Sequence, residues 1–141
     1  MCKIGDLILI DNPSVNGNDI GRHPFLVLDD EGGIVRGTYD FDFIGLLLSS
    51  NETELKRQKM LKYETNFPIT KDDKVISDLN YTNLNSFIEV SPLYYFSKSE
   101  ISFKRVGRIE EDIFNLIMEY IEELSKKGTE FKVVLDKAKK I

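Results

Sequence analysis

The chain has one histidine and one cysteine, His23 and Cys2. His23 stands in the run Gly21-Arg22-His23-Pro24, between a polar stretch and an apolar one. An imidazole exchanges protons near neutral pH, because its unperturbed pKa is about 6.5. The guanidinium of Arg22 is no base, but it can hold a phosphate or stabilise a developing oxyanion. Neighbouring side chains of a regular strand face opposite ways, so only an irregular strand start brings both to one substrate. Ser49 and Ser50 close the apolar run Phe43–Leu48, where a hydroxyl can donate to a phosphate oxygen. Lys56, Arg57, Lys59 and Lys62 would suit the wall of a nucleic-acid groove, and Tyr94-Tyr95-Phe96 could stack bases. Each feature also has a plainer reading: a solvated arginine, a histidine opening a strand, turn serines, a solvated basic face, core aromatics. The residues alone leave that choice open.

Other chemistries are excluded more firmly. A single cysteine makes no intrachain disulfide, and with a single histidine it cannot build a clustered Cys/His zinc site. No Walker A loop, Rossmann glycine run or His-Glu-x-x-His is present. We expect neither a metal nor a cofactor.

The elements that must position these groups are mostly strands. Ile4 to Ile10 reads as a strand rich in branched residues, and Pro13 to Gly21 as a loop of turn formers. Phe25–Leu28 is a short apolar strand; Ile34–Thr38 can pair back after the turn Asp29-Asp30-Glu31-Gly32-Gly33. Phe43–Leu48, Phe67–Thr70 and Ser86–Tyr95 follow as strands, with Pro92 marking an edge or bulge. Residues 51–63 read as a long loop or short exposed helix, and 71–85 as polar. Ser97-Lys98-Ser99-Glu100 fits a capping box, with a short strand near Lys104–Val106 beyond it. Apolar residues Ile109, Ile113, Leu116, Ile117, Tyr120, Ile121 and Leu124 recur at three- and four-residue steps, predicting a helix over Glu110–Lys126. Gly128 would stop it. Phe131, Val134, Leu135 and Ala138 suggest a second, weaker helix in a basic tail. Many short strands and one long helix predict a mainly β, α+β fold: a small antiparallel barrel with a helix at its end.

The 141 residues, 41% hydrophobic and 30% charged, suit one domain over residues 1–125 and a basic extension over 126–141, expected to be helical. A net charge of −5 argues against a protein that coats nucleic acid by charge alone. The charge is segregated: Glu110, Glu111, Asp112, Glu119, Glu122 and Glu123 precede Lys126, Lys127, Lys132, Lys137, Lys139 and Lys140. Leu7–Ile10 is too short for a signal-peptide core, and no 18-residue apolar run exists, so a cytoplasmic protein with no membrane partner is expected.

The block Lys3-Ile4-Gly5-Asp6-Leu7-Ile8-Leu9-Ile10-Asp11, the loop Asn16-Gly17-Asn18-Asp19-Ile20-Gly21 and the run Arg22-His23-Pro24-Phe25-Leu26-Val27-Leu28 together resemble the MazF/PemK (Kid) toxin family. Gly45-Leu46-Leu47-Leu48-Ser49 is similar to that family's strand ending in Thr or Ser. Ser86–Ile101 and Lys104–Leu124 resemble its late strand, short helix and terminal helix. The resemblance implies an SH3-like antiparallel β-barrel of the MazF/PemK/CcdB kind with a long C-terminal helix, usually homodimeric. It implies a toxin of a toxin–antitoxin system, a sequence-selective endoribonuclease (mRNA interferase) that cuts single-stranded RNA without metal. It also implies an antitoxin whose disordered tail lies across the RNA groove. By position, the family's arginine before Pro falls on His23, with Arg22 one place earlier, and its Thr or Ser falls on Ser49. His23, Arg22 and Ser49 are thus the expected catalytic groups, and Asn16, Asp19, Ser50, Lys56 and Arg57 the expected substrate-binding ones.

Such cleavage needs a base for the 2′-hydroxyl, an acid for the leaving 5′-oxygen and charge stabilisation at phosphorus. One histidine cannot be acid and base at two positions, so a second group, Asp19 or Arg22, must assist. The alternative is a catalytically inactive module of the same fold that binds RNA or a protein partner. A third reading is a scaffold contacting its partner through the acidic helix.

Overall fold

A computed structural model of the chain describes residues 3–10, 14–15, 18–19, 24–28, 39–40, 43–50, 63–97, 101–137 and 139–140. Its main body is an eight-stranded sheet, antiparallel except at one pairing. The strands are β1 (Asp6–Ile10), β4 (Pro24–Leu28), β6 (Phe43–Ser50), β7 (Asn66–Ile69), β8 (Lys74–Ile76), β9 (Ser86–Phe96), β10 (Phe103–Ile109) and β11 (Val133–Lys137). They run in the order β11-β9-β6-β4-β1-β10-β8, with β7 also on β9. Two small pairs stand apart: β2 (Ser14–Val15) with β3 (Asn18–Asp19), and β5 (Tyr39–Asp40) with β12 (Lys139–Lys140). Among the described residues one α-helix, α1, spans Glu111–Lys126.

The pleat sorts side chains to two apolar faces. Leu7, Leu26, Leu28, Ile44, Leu46, Leu48, Ile88 and Val90 gather on the first, where Ile117 and Leu124 of α1 pack, seven residues apart. Ile8, Ile10, Phe25, Val27, Phe43 and Leu47 gather on the second, with Tyr94 and Phe96. Strand β4 is buried at all five positions, as expected of a central strand with both faces covered. Phe25 holds the second face together: its ring meets Tyr94 edge-on at 5.1 Å and Phe96 at 5.2 Å.

Strand β9 organises one flank. Its first half pairs with β7 (Ser86 opposite Ile69, Glu89 opposite Asn66) and its second half with β11 (Leu93 opposite Val133, Tyr94 opposite Val134). On its other side it pairs with β6, and the register slips between Gly45–Tyr94 and Leu47–Glu89. Pro92, expected at an edge or a bulge, lies within that slip. The helix ends as predicted: Gly128 takes a φ of +94°, and the amides of Gly128 and Thr129 return to Ser125 and Leu124.

The tail departs from expectation. Instead of a second helix it forms β11, parallel to β9, and β12. Val133-Val134 is a β-branched pair, and the open edge of β9 offers the hydrogen bonds that make its extended form worthwhile. Residues of the 126–141 extension therefore join the sheet of the main domain. The polar stretch 71–85 also contains unexpected order: a 3-10 turn at Lys71–Asp73, whose Asp73 carboxylate accepts the Thr70 amide at 2.7 Å, leads into β8. The strand expected at Lys104–Val106 is longer, Phe103–Ile109. The hairpin arm 34–38 and nearly all of the capping-box segment 97–100 and the loop 51–63 lie outside the described residues. No helix among the described residues is long and apolar enough to cross a membrane.

Candidate active site at the end of β6

Four strand ends meet where β6 finishes. Strand β4 begins at Pro24, opposite Leu9 near the close of β1, and runs antiparallel to β6. Strand β9 begins at Ser86, opposite Ser50. Ser49 lies at this end with the odd-numbered residues Phe43 and Leu47 of the second face. Its hydroxyl donates to Glu89 Oε2 of β9 at 2.9 Å. Ser49 stands directly opposite Phe87, and Glu89 opposite Leu47, so the hydrogen bond is a diagonal contact across two strands.

The field of Glu89 reaches further along β9. The Tyr94 phenol is pushed up to about 12, chiefly by burial and then by the negative charge of Glu89. Tyr94 thus keeps its proton at neutral pH. The site offers a carboxylate that can accept a proton and a hydroxyl that can donate to an anion.

Of the residues singled out from sequence, Ser49 is placed with a partner. Arg22, His23, Asn16, Lys56 and Arg57 lie outside the described residues. Two of them adjoin described elements in the sequence: Asn16 follows Val15, the last residue of β2, and His23 precedes Pro24, the first of β4. Asp19 lies in β3 opposite Ser14, and Ser50 in β6 opposite Ser86. Tyr94, Tyr95 and Phe96 are buried among other core side chains. Their structural reading holds; the rings are not free platforms.

Sequence reasoning missed two groups. Glu89 reads as an ordinary solvent-facing position in Phe87-Ile88-Glu89-Val90, and only the pairing of β6 with β9 brings it to Ser49. Lys74 gives no signal in its polar stretch, yet it is 5% exposed. Its ammonium donates to the Leu84 carbonyl at 2.6 Å and to Ser86 Oγ at 3.1 Å. Burial lowers its pKa to about 8, against the opposing pull of Asp73. Lys74 anchors the start of β9 from beneath, next to the residue that pairs with Ser50. Among the described residues, no group of three or more His, Cys, Asp or Glu side chains is placed to hold a metal ion.

No protein-family model matches this chain, and no curated protein matches it.

Proposed function

We propose that this protein is a metal-independent endoribonuclease of the MazF/PemK toxin type, with its active site at the end of β6. The observation that carries the reading is the Ser49–Glu89 hydrogen bond of 2.9 Å beside the strand that Arg22-His23 leads into. It supplies the second proton-transfer group that a single histidine lacks. In this reading Glu89 takes the proton of the RNA 2′-hydroxyl, whose oxygen attacks the neighbouring phosphorus. His23, as imidazolium, gives a proton to the departing 5′-oxygen. Arg22 holds the phosphate, and Ser49 turns its hydroxyl from Glu89 to a non-bridging oxygen as negative charge grows there. The products are a 2′,3′-cyclic phosphate and a 5′-hydroxyl. The reading requires His23 to reach the Ser49 face. Because neighbouring positions of a regular pleat face opposite ways, it also requires an irregular chain path ahead of Pro24, so that Arg22 reaches the same face.

The same proposal takes the mainly antiparallel sheet and its helix as an SH3-like barrel. It includes a cytoplasmic homodimer, single-stranded RNA as substrate, and an antitoxin tail as inhibitor. Asn16, Asp19, Ser50, Lys56 and Arg57 would line the RNA path.

The test is incubation of the full chain with a long single-stranded RNA in EDTA, beside His23→Ala, Arg22→Ala and Glu89→Gln. The expected result is discrete fragments ending in cyclic phosphate, lost in His23→Ala and reduced at least about a hundredfold in Glu89→Gln. Equal cleavage by all four proteins would refute this site. Binding without cleavage by the wild type would favour the inactive RNA-binding module, a reading supported by histidine standing where the family has arginine.

A further inference from the structure

At the opposite end of β1 the surface opens into a cleft of about 360 Å³ between the start of β1, the end of β10 and the first turns of α1. A bulge in β10 builds its polar side. Ile8 pairs with Arg105 but Leu7 with Gly107, which leaves Val106 as an extra residue. In an unbroken strand, residues three apart would face opposite ways; the bulge brings Arg105 and Arg108 to the same face, opposite Ile8 and Asp6 respectively.

A buried acid then sets the first of these guanidiniums. Asp6 is 5% exposed. Its Oδ1 lies 3.0 Å from Arg105 Nε, and its Oδ2 accepts the Lys3 backbone amide at 2.8 Å. Asp6 is therefore satisfied, and Arg105 is held by Nε, while its Nη1 lies 3.5 Å from Ser77 Oγ. Among the described residues, Arg108 has one long contact, 3.8 Å, with Glu110, and both side chains are nearly half exposed. Such a pair is weak and easily exchanged for a better anion.

The rest of the lining is of a different kind. Ile4 is 57% exposed, and it shares the cleft with the part-buried ring of Phe114 and the carboxylate of Glu111. A ligand that is all negative charge would meet Glu111 unfavourably and would leave Ile4 wet. A ligand with an anionic end, hydroxyls and a flat apolar body would use every part of this lining.

We propose that this cleft binds a nucleoside phosphate, independently of the ribonuclease reading. Arg105 and Arg108 take the phosphate, Lys3 adds positive charge, Glu111 accepts ribose hydroxyls, and Ile4 with Phe114 carries the base. The volume lies within the range of small-ligand sites, roughly 300–1,000 Å³. The ligand is either a free nucleotide or the phosphorylated end of an RNA strand.

Calorimetric titration of the full chain tests this without any cleavage step. The probes are AMP, ribose 5-phosphate, adenosine, inorganic phosphate, and a short single-stranded oligonucleotide with and without a 5′-phosphate. AMP is expected to bind at one site, about tenfold or more tighter than adenosine or inorganic phosphate, with ribose 5-phosphate between. Arg108→Met should weaken AMP about tenfold. Phe114→Leu should weaken AMP but leave ribose 5-phosphate unchanged. Arg108 is surface-exposed, and thermal melts of both variants check that they fold. Tighter binding of the 5′-phosphorylated oligonucleotide than of AMP, lost in Arg108→Met, assigns the site to an RNA end; equal affinity assigns it to the free nucleotide. AMP binding no tighter than phosphate, or unchanged by Arg108→Met, overturns the proposal.

Discussion

Lys74 begins β8 with its ammonium beneath the sheet surface, and Lys74→Met tests what that burial costs. Its pKa falls from 10.5 to about 8, because burial penalises the charged form more than Asp73 favours it. Below about pH 8 the folded and unfolded chains both hold the proton. Between about 8 and 10.5 the unfolded chain keeps it and the folded chain releases it. The unfolded state then binds more protons, so wild-type stability rises with pH across that window. At about 1.4 kcal/mol per pKa unit the whole effect is at most about 3 kcal/mol, and up to about 2 kcal/mol of it is recovered between pH 7 and 9.5. The variant has no such group. It also leaves Ser86 Oγ without the lysine, but that hydroxyl still donates to the Leu84 carbonyl at 2.8 Å. Urea unfolding of both proteins at several pH values gives the comparison, and the tyrosines cancel because both chains carry them. Wild-type stability relative to Lys74→Met should climb with pH by about 1–2 kcal/mol. A difference that stays flat to within about half a kcal/mol, or falls, would refute the reasoning.

Two further outcomes follow from close contacts. A Cβ added at Gly107 would stand 2.3 Å from the Val75 carbonyl oxygen and 3.0 Å from Ile76 Cα, both backbone atoms. Gly107→Ala should therefore force β8 away from β10 at a cost of about 1–3 kcal/mol, read by urea unfolding and by faster amide exchange in β8. Glu89→Gln removes a negative charge beside Tyr94, so the Tyr94 phenol should titrate below its wild-type value of about 12 while burial still keeps it above 10. An NMR pH titration of the ring signals checks this, and an unchanged midpoint would detach Glu89 from Tyr94.

The parts of the fold with strong local patterns were legible. Strands β1, β4, β6 and β9 are apolar runs bounded by turn formers, and α1 repeats its apolar residues at helical spacing. What escaped depends on partners far along the chain. Strand β8 has three residues, with Lys74 buried against its polar character, and forms because β10 offers it an edge. The tail residues Phe131, Val134, Leu135 and Ala138 do fall at helical spacing, but β9 has an edge for a strand there. Of the candidate site, Ser49 was visible as the end of an apolar run. Glu89 was not, because forty residues separate it from Ser49 and only strand register joins them. The β10 bulge left no mark either: Lys-Arg-Val-Gly-Arg reads as an irregular basic strand until the pairing with β1 is known.

The division of β9's outer edge has a consequence for how copies of this chain behave beside one another. A strand of eleven residues with one side open would be a long template for another molecule's backbone. Here two strands from distant parts of the sequence, β7 of four residues and β11 of five, cap it end to end, one antiparallel and one parallel. The opposite margin of the sheet is the three-residue β8. Among the described residues each remaining margin is thus a short piece, and a neighbouring chain seeking to extend the sheet there finds no long register to follow. Shortening the tail before Val133 would uncover the second half of β9, Leu93 to Phe96, and turn a closed margin into an adhesive one.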